Sequence, residues 1–296
     1  MSLSIGIVGL PNVGKSTLFK TLTKKEVDIA NYPFTTIEPN VAVVPVPDEN
    51  LEKLAKMFKP DKVTPAIVEF IDIAGLVKEA HLGKGLGNKF LAKIRETNLL
   101  VEVVRIFSAK GGPASGGEDV PHIYESIDPE RDIEIIKVEL KEAGIEKPII
   151  YVFNIKPDLN FQLPGKYQGL AIPLKEEMEI TELSDEEKQE LEIKTSGLLD
   201  DLIRICYQAL GLITFYTIKG GKETRATKIE KETNILDAAE KIHTDFKEKF
   251  IKAEVVDCKN LIESGGWQEA REKGLIRTEG KEYVVQDGDV IEFKHG

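Results

Sequence analysis

Gly9-Leu10-Pro11-Asn12-Val13-Gly14-Lys15-Ser16-Thr17 carries the spacing G-x-x-x-x-G-K-S near the start of a chain of 296 residues. That spacing is a phosphate-binding loop when a strand precedes it and a helix follows. Ser4-Ile5-Gly6-Ile7-Val8 is a short apolar strand, and Ser16 to Leu22 place apolar residues at helical spacing. The physical logic is simple. Glycines let backbone N–H groups close around phosphate oxygens, and the helix N-terminus adds partial positive charge. The spacing predicts an α/β domain of the P-loop NTPase class, mostly parallel, with phosphates at the carboxyl ends of the strands. The loop from Gly9 to Ser16 wraps the phosphates, so Asn12, Val13, Gly14, Lys15, Ser16 and Thr17 are the nucleotide-binding candidates. Lys15 bridges the β- and γ-phosphates as a catalytic cation, and the Ser16 hydroxyl is a candidate Mg²⁺ ligand.

A second apolar strand, Ile67 to Ile73, runs into Asp72-Ile73-Ala74-Gly75. A carboxylate at such a strand end holds the Mg²⁺ shell, usually through water, which nominates Asp72 as a metal residue. The Gly75 amide is placed to reach the γ-phosphate, whose loss would release the loop that follows. Between the two motifs, Asn31 to Asn40 form a turn-rich loop where a first switch belongs. Such a switch supplies a threonine hydroxyl to the metal, and Thr35 and Thr36 are both present.

Bulk properties limit the remaining possibilities. Hydrophobic residues make up 41% and charged residues 31%, an ordinary globular composition. No apolar run approaches the roughly 20 residues of a membrane span, and the N-terminus runs straight into the motif with no basic leader. Cys206 and Cys258 have no metal-type spacing and read as free core thiols in a reducing, cytoplasmic setting. Net charge is −11, with 25 Lys+Arg against 34 Asp+Glu in residues 1–211 and 15 against 17 in residues 212–296. Neither part is a polybasic nucleic-acid binder, so any RNA contact is local and shape-guided, and no DNA or membrane partner is predicted.

NYPFTTIEPN, VAVVPVPD, DIAGLVKEAHLGKGLGNKFL and IRETNLLVEVVRIF together resemble the Obg-like ATPases of the YchF type, in the translation-factor class of P-loop GTPases. The likeness covers nearly the whole chain and is specific in combination. It implies that Thr36, the second threonine of the switch, is the metal ligand. Ras-type enzymes place a glutamine after DxxG to orient the attacking water, but Leu76 stands there and cannot hydrogen-bond water. The resemblance implies two substitutes. One is a K⁺ ion held partly by Asn12, offsetting developing charge. The other is His122, at the end of a Gly-, Pro- and Ser-rich segment from Ser108, whose imidazole can position water or shuttle a proton. A loop-shaping Asn12 and a solvated His122 are the structural alternatives. His81 reads as a loop residue, and His243 and His295 receive no catalytic role.

Guanine-specific enzymes use NKxD, whose carboxylate accepts from the guanine N1 and N2 donors. Here the strand Pro148 to Phe153 leads into Asn154-Ile155-Lys156-Pro157, with proline in the aspartate position. The resembling family also abandons NKxD, usually for NxxE, and accepts ATP; this chain departs from that version too. ATP is therefore expected to be preferred over GTP or comparable to it. Asn154 is assigned to the base edge and Ile155 to its face, with a strand-end cap as the alternative for Asn154. The opposite wall is altered as well, since Pro173 in Ala171 to Lys175 replaces the usual serine.

The family inserts a long helical arm before the Asn154 strand. Leu140 to Pro148 lead almost directly into that strand, leaving no room for it. After Gly211 the pattern changes. Leu212 to Ile218 is a strand, a helix covers Ile235 to Lys241, and Glu282 to Phe293 read as two strands around a glycine turn. This is expected to be a small β-grasp domain, and HTDF (from His243) with DGDVIEF (from Asp287) resembles the family's TGS domain, implying contact with the ribosome or RNA. A domain that only caps the nucleotide domain is the alternative. The expected organisation is residues 1–211 and 212–296. The expected function is slow Mg²⁺-dependent hydrolysis of ATP, with GTP as a second substrate, as a switch read out by the ribosome. An Obg-type GTPase, and a ribosome- or RNA-binding module with incidental hydrolysis, are the competing readings.

Overall fold

The computed structural model describes residues 3–26, 32, 38–73, 87–107, 123, 126–157, 161–162, 165–193 and 196–296. The chain divides into two compact units, Met1–Val44 with Val68–Leu210, and Pro45–Ile67 with Gly211–Gly296.

The chain opens with β1 (Ser4–Val8), wholly buried, then α1 (Lys15–Thr23) and β2 (Val41–Pro45). It crosses into the second unit for α2 (Glu49–Phe58) and β3 (Lys62–Thr64). It then returns for β4 (Ile67–Asp72), α3 (Gly87–Glu96), β5 (Leu99–Arg105), α4 (Pro129–Glu142), β6 (Ile149–Asn154) and β7 (Gly169–Ile172). Helices α5 (Leu174–Glu182), α6 (Asp185–Glu190) and α7 (Leu198–Ala209) finish this unit.

Its sheet has the order β2-β4-β1-β5-β6-β7. The pairs β1–β4, β1–β5, β5–β6 and β6–β7 are all parallel. Strands buried on both faces explain the continuous apolar runs, such as Leu99 to Val104 interrupted only by Glu102. Helix α4 starts where the sequence predicts. Pro129 sits in its first turn, and the Asp128 carboxylate caps it by accepting from the Arg131 N–H at 3.1 Å. Only residues 143–148 separate α4 from β6, so the expected absence of a helical arm at this point holds.

The second unit continues with β8 (Leu212–Lys219), β9 (Glu223–Glu230), α8 (Ile235–Ile242), α9 (Thr244–Glu248), β10 (Phe250–Asp257), α10 (Cys258–Ser264), α11 (Trp267–Glu272), β11 (Arg277–Glu279) and β12 (Asp289–His295). Its sheet has the order β11-β10-β12-β8-β9-β3. The first and last strands of the C-terminal segment, β8 and β12, lie side by side and parallel, the pairing expected of a β-grasp. Ile213, Phe215, Ile229, Ile235, Phe250, Val255 and Ile291 pack into its core.

Three details differ from the sequence expectations. First, residues 45–67 are built into this second unit, although the sequence boundary placed everything up to 211 in one domain. The cause is β3, which pairs in parallel with β9, while the Tyr216 hydroxyl donates to both Asp48 carboxylate oxygens at 3.0 and 2.8 Å. Second, four helices occupy the C-terminal segment where one was expected. Third, Glu282 to Gln286 does not form a strand. The Asp289 carboxylate accepts from the Gln286 N–H at 2.8 Å and the Tyr283 hydroxyl at 2.7 Å, folding the segment into a loop. Cys206 and Cys258 are free and buried, as their spacing implied.

Candidate functional site

Parallel strands bring their carboxyl ends to one edge of the sheet, and four of the residues that matter stand there. Register pairs Ile7, near the end of β1, with Asp72 at the end of β4. It pairs Arg105, the last residue of β5, with Asn154, the last residue of β6. The loop from Gly9 to Gly14 leaves β1 at this same edge. Its path needs glycine twice. Gly9 has φ 144°, and a Cβ there would lie 2.5 Å from the Val103 carbonyl oxygen. Gly14 has φ 112° and begins α1, and a Cβ there would lie 2.6 Å from Asn154 Nδ2. Asn12, at φ 64°, takes the left-handed conformation that asparagine tolerates better than most residues.

Three carbonyls of the loop are held by side chains. Lys15 Nζ donates to the Leu10 carbonyl at 2.7 Å, Arg105 Nη1 to the Asn12 carbonyl at 3.3 Å, and Asn154 Nδ2 to the Val13 carbonyl at 2.9 Å. A trans peptide points its C=O and its N–H in opposite directions. Anchoring the Asn12 and Val13 carbonyls therefore turns the Val13 and Gly14 amides the other way. This is the arrangement that makes a turn concave toward an anion.

The electrostatics are those of a buried cation beside a carboxylate. Lys15 is 8% exposed. Burial lowers its amine to about 8, and the Asp72 carboxylate opposes that shift. Burial raises the Asp72 carboxyl above the usual carboxylate value, against the pull of Lys15 and Lys93. Ser16, one residue into α1, is exposed, and its hydroxyl and the Asp72 carboxylate are both oxygen donors, the ligand type Mg²⁺ takes. Asn12 is also exposed, Val13 is buried, and Gly14 and Thr17 are half-buried.

At the far side of the loop, the Ile155 N–H donates to the Ile172 carbonyl at 3.2 Å, which ties the Asn154-Ile155 turn to β7. Pro173, the altered wall, begins α5 as its N-cap. Beside this turn the Phe107 ring is flanked by two cations, with the Arg105 guanidinium 4.9 Å and Lys156 Nζ 5.9 Å from its centroid.

The structure thus brings together Asn12, Val13, Gly14, Lys15, Ser16, Thr17, Asp72, Asn154 and Ile155. Thr36, Gly75 and His122 lie outside the described residues, as do Leu76 and His81. His243 and His295 stand in the second unit, where His243 Nδ1 accepts from the Asp245 N–H and His295 stacks on Phe246 at 4.4 Å. Arg105 escaped the sequence reading. Its signal was a cation closing a strand that is apolar apart from Glu102, which reads equally well as a surface residue, yet it is 3% exposed.

Comparison with known proteins places this geometry among relatives. Residues 4–155 match the family model described as "50S ribosome-binding GTPase", and residues 212–296 match the model YchF-GTPase_C, described as "Protein of unknown function (DUF933)". The chain is 38% identical to the ribosome-binding ATPase YchF of Bacillus subtilis over 373 aligned positions, covering 99% of each chain. It is 38% identical to the protein of the same name from Haemophilus influenzae over 371 positions, again covering 99% of each. The solved structure of the Schizosaccharomyces pombe YchF GTPase is similar with a TM-score of 0.78 and 30% identity, covering 99% of this chain and 98% of that one. The Bacillus alignment is 77 positions longer than the chain itself (373 against 296), so the relative carries internal sequence that this chain lacks.

Proposed function

The chain belongs to the YchF family, and from that premise we propose that it is an Mg²⁺-dependent nucleoside triphosphatase that hydrolyses ATP, accepts GTP, and works as a ribosome-associated switch. The relatives' names supply the ribosome and the ATP. What supports the reading in this chain is one observation: the carbonyls of Asn12 and Val13 are clamped from behind by Arg105 and Asn154, so the loop offers its amides to an anion.

In this reading the Val13 to Ser16 amides and Thr17 bind the phosphates. Lys15 exchanges its Leu10 carbonyl for phosphate oxygens, a favourable trade for a buried amine already held below its usual value. Ser16, Thr36 and Asp72 hold Mg²⁺, which supplies charge neutralisation across the phosphates. Gly75 senses the γ-phosphate. Asn12 carries K⁺, and His122 orients water in place of the glutamine that Leu76 displaces. Asn154 and Ile155 border the base, and the loss of the NKxD carboxylate to Pro157 removes the basis for strong guanine selection. The C-terminal unit is a TGS-like β-grasp domain that contacts ribosome or RNA, and the chain acts in the cytoplasm. Among the described residues no helix is long and apolar enough to cross a membrane.

Steady-state hydrolysis of ATP and GTP, each with and without Mg²⁺ and K⁺, tests this. The reading expects slow Mg²⁺-dependent turnover with ATP at least as good as GTP. Turnover of GTP alone points to the Obg-type alternative, and absence of turnover for both refutes the enzyme.

A further inference from the structure

Among the described residues Arg105 is the one buried guanidinium at the phosphate-loop edge of the sheet, and its geometry is more than packing. It closes β5 in register with Asn154 of β6, so two adjacent strand ends each send a donor to consecutive loop carbonyls. Asn154 takes Val13 at 2.9 Å and Arg105 takes Asn12 at 3.3 Å. The guanidinium fork also donates from Nε to the Phe107 carbonyl at 3.0 Å and lies over the Phe107 ring. The planar group therefore joins two pieces of chain, the Asn12 peptide and the first residues after β5, which lead in sequence toward His122. A lysine keeps the charge but cannot make this two-ended, stacked contact.

We propose that Arg105 is a positioning residue for hydrolysis, which fixes the Asn12 peptide in its left-handed conformation and thereby aims the exposed Asn12 side chain at the reacting phosphate. This rests on the nucleoside triphosphatase reading. Asn154 serves the neighbouring peptide and the base, so the two clamps differ in weight: loss of Arg105 falls more on turnover than on binding, and loss of Asn154 more on binding than on turnover. Holding the Asn12 peptide by a side chain suits a residue whose own conformation is unfavourable. A non-glycine residue at positive φ persists only where its surroundings over-determine it, and Arg105 is a surrounding group that does so.

The test compares wild type, Arg105→Lys, Asn12→Gly and the double variant, with Asn154→Ala as contrast, using ATP, ADP and K⁺ as probes. Glycine at position 12 keeps the backbone conformation and removes only the side chain. Misplacement of an acting group by about 1 Å costs on the order of 100-fold, so Arg105→Lys is expected to lower kcat about 10- to 100-fold and to weaken ADP by a smaller factor, since of the phosphate-binding amides only that of Val13 loses its clamp. Its K⁺ activation is expected to flatten. The double variant is expected to be no slower than Asn12→Gly alone, because Arg105 acts through Asn12. Asn154→Ala is expected to weaken ADP more than it lowers kcat. Wild-type turnover in Arg105→Lys overturns the proposal. Losses that multiply in the double variant overturn it too, as does a kcat loss that only follows a loss of folded protein in calorimetry. Wild-type protein that hydrolyses nothing removes the parent reading, and that control is read before any variant.

Discussion

Substituting Gly14 by alanine strikes the point where the loop, the helix and the β6 strand end meet. At φ 112° an alanine is strained wherever its Cβ points, and here the Cβ would lie 2.6 Å from Asn154 Nδ2 and 3.3 Å from Leu174 Cδ1. The Asn154 amide must then leave the Val13 carbonyl, which it reaches at 2.9 Å inside the protein. The backbone conformation costs about 1–3 kcal/mol. The broken buried hydrogen bond costs about 1–3 kcal/mol more. Reduced freedom of the unfolded chain returns about 0.4–1 kcal/mol. The net loss is about 1–5.6 kcal/mol, or roughly 2–22 °C for a domain of this size. Differential scanning calorimetry measures it. Trp267, the single tryptophan, belongs to the second unit, so its fluorescence provides an internal reference. In an Asn154→Ala background the collision is gone, and Gly14→Ala is expected to cost about 1–2 kcal/mol less than in wild type. Equal costs in both backgrounds, or a wild-type melting temperature in the single variant, would refute the proposed contact between Gly14 and Asn154.

Two further outcomes follow from buried charges. Burial pushes the Lys15 amine down to about 8, and bound phosphates must raise that value, so ADP affinity is expected to be level below pH 8 and to fall by up to about tenfold per unit above it. Calorimetric titration in buffers of different ionisation enthalpy checks this through proton uptake at alkaline pH; flat affinity up to pH 9.5 would contradict it. Glu102 is buried in β5, its Oε2 has no hydrogen-bond partner among the described residues, and burial raises its carboxyl well above the usual value, with Lys137 opposing the shift and Asp132 adding to it. A raised folded value means the penalty is absent below the unfolded pKa and grows as pH climbs toward the folded one. Glu102→Met is therefore expected to stabilise the chain by about 1 kcal/mol or more near pH 8, and by less at pH 4.5. Urea denaturation at the two pH values measures the difference, and a pH-independent difference would show the carboxyl is not the cause.

The phosphate loop and the strands around it were legible because local chemistry dictates them. Gly9 and Gly14 are needed for backbone geometry, and Ser4 to Val8 and Ile67 to Asp72 are apolar runs of strand length. What escaped reading depends on distant pairing. β3 is three residues long, with polar ends, and its partner β9 begins at Glu223, far along the chain. No local pattern announces that Pro45–Ile67 will complete the second sheet. Arg105 and Asn154 illustrate the same limit within the site. Each looks like the end of a strand, and only the register between β5 and β6 shows that they grip neighbouring peptides of one loop. Helices α10 and α11, at seven and six residues, are too short to show a periodic face.

The account stands on the Val13 to Ser16 amides facing bound phosphate. Backbone ¹H–¹⁵N NMR spectra recorded while Mg²⁺–ADP is added test this most directly. The largest downfield amide shifts are expected at Val13, Gly14, Lys15 and Ser16, and Lys15→Ala should abolish them. Shifts confined to other parts of the chain, with these four amides unmoved at saturation, would contradict it.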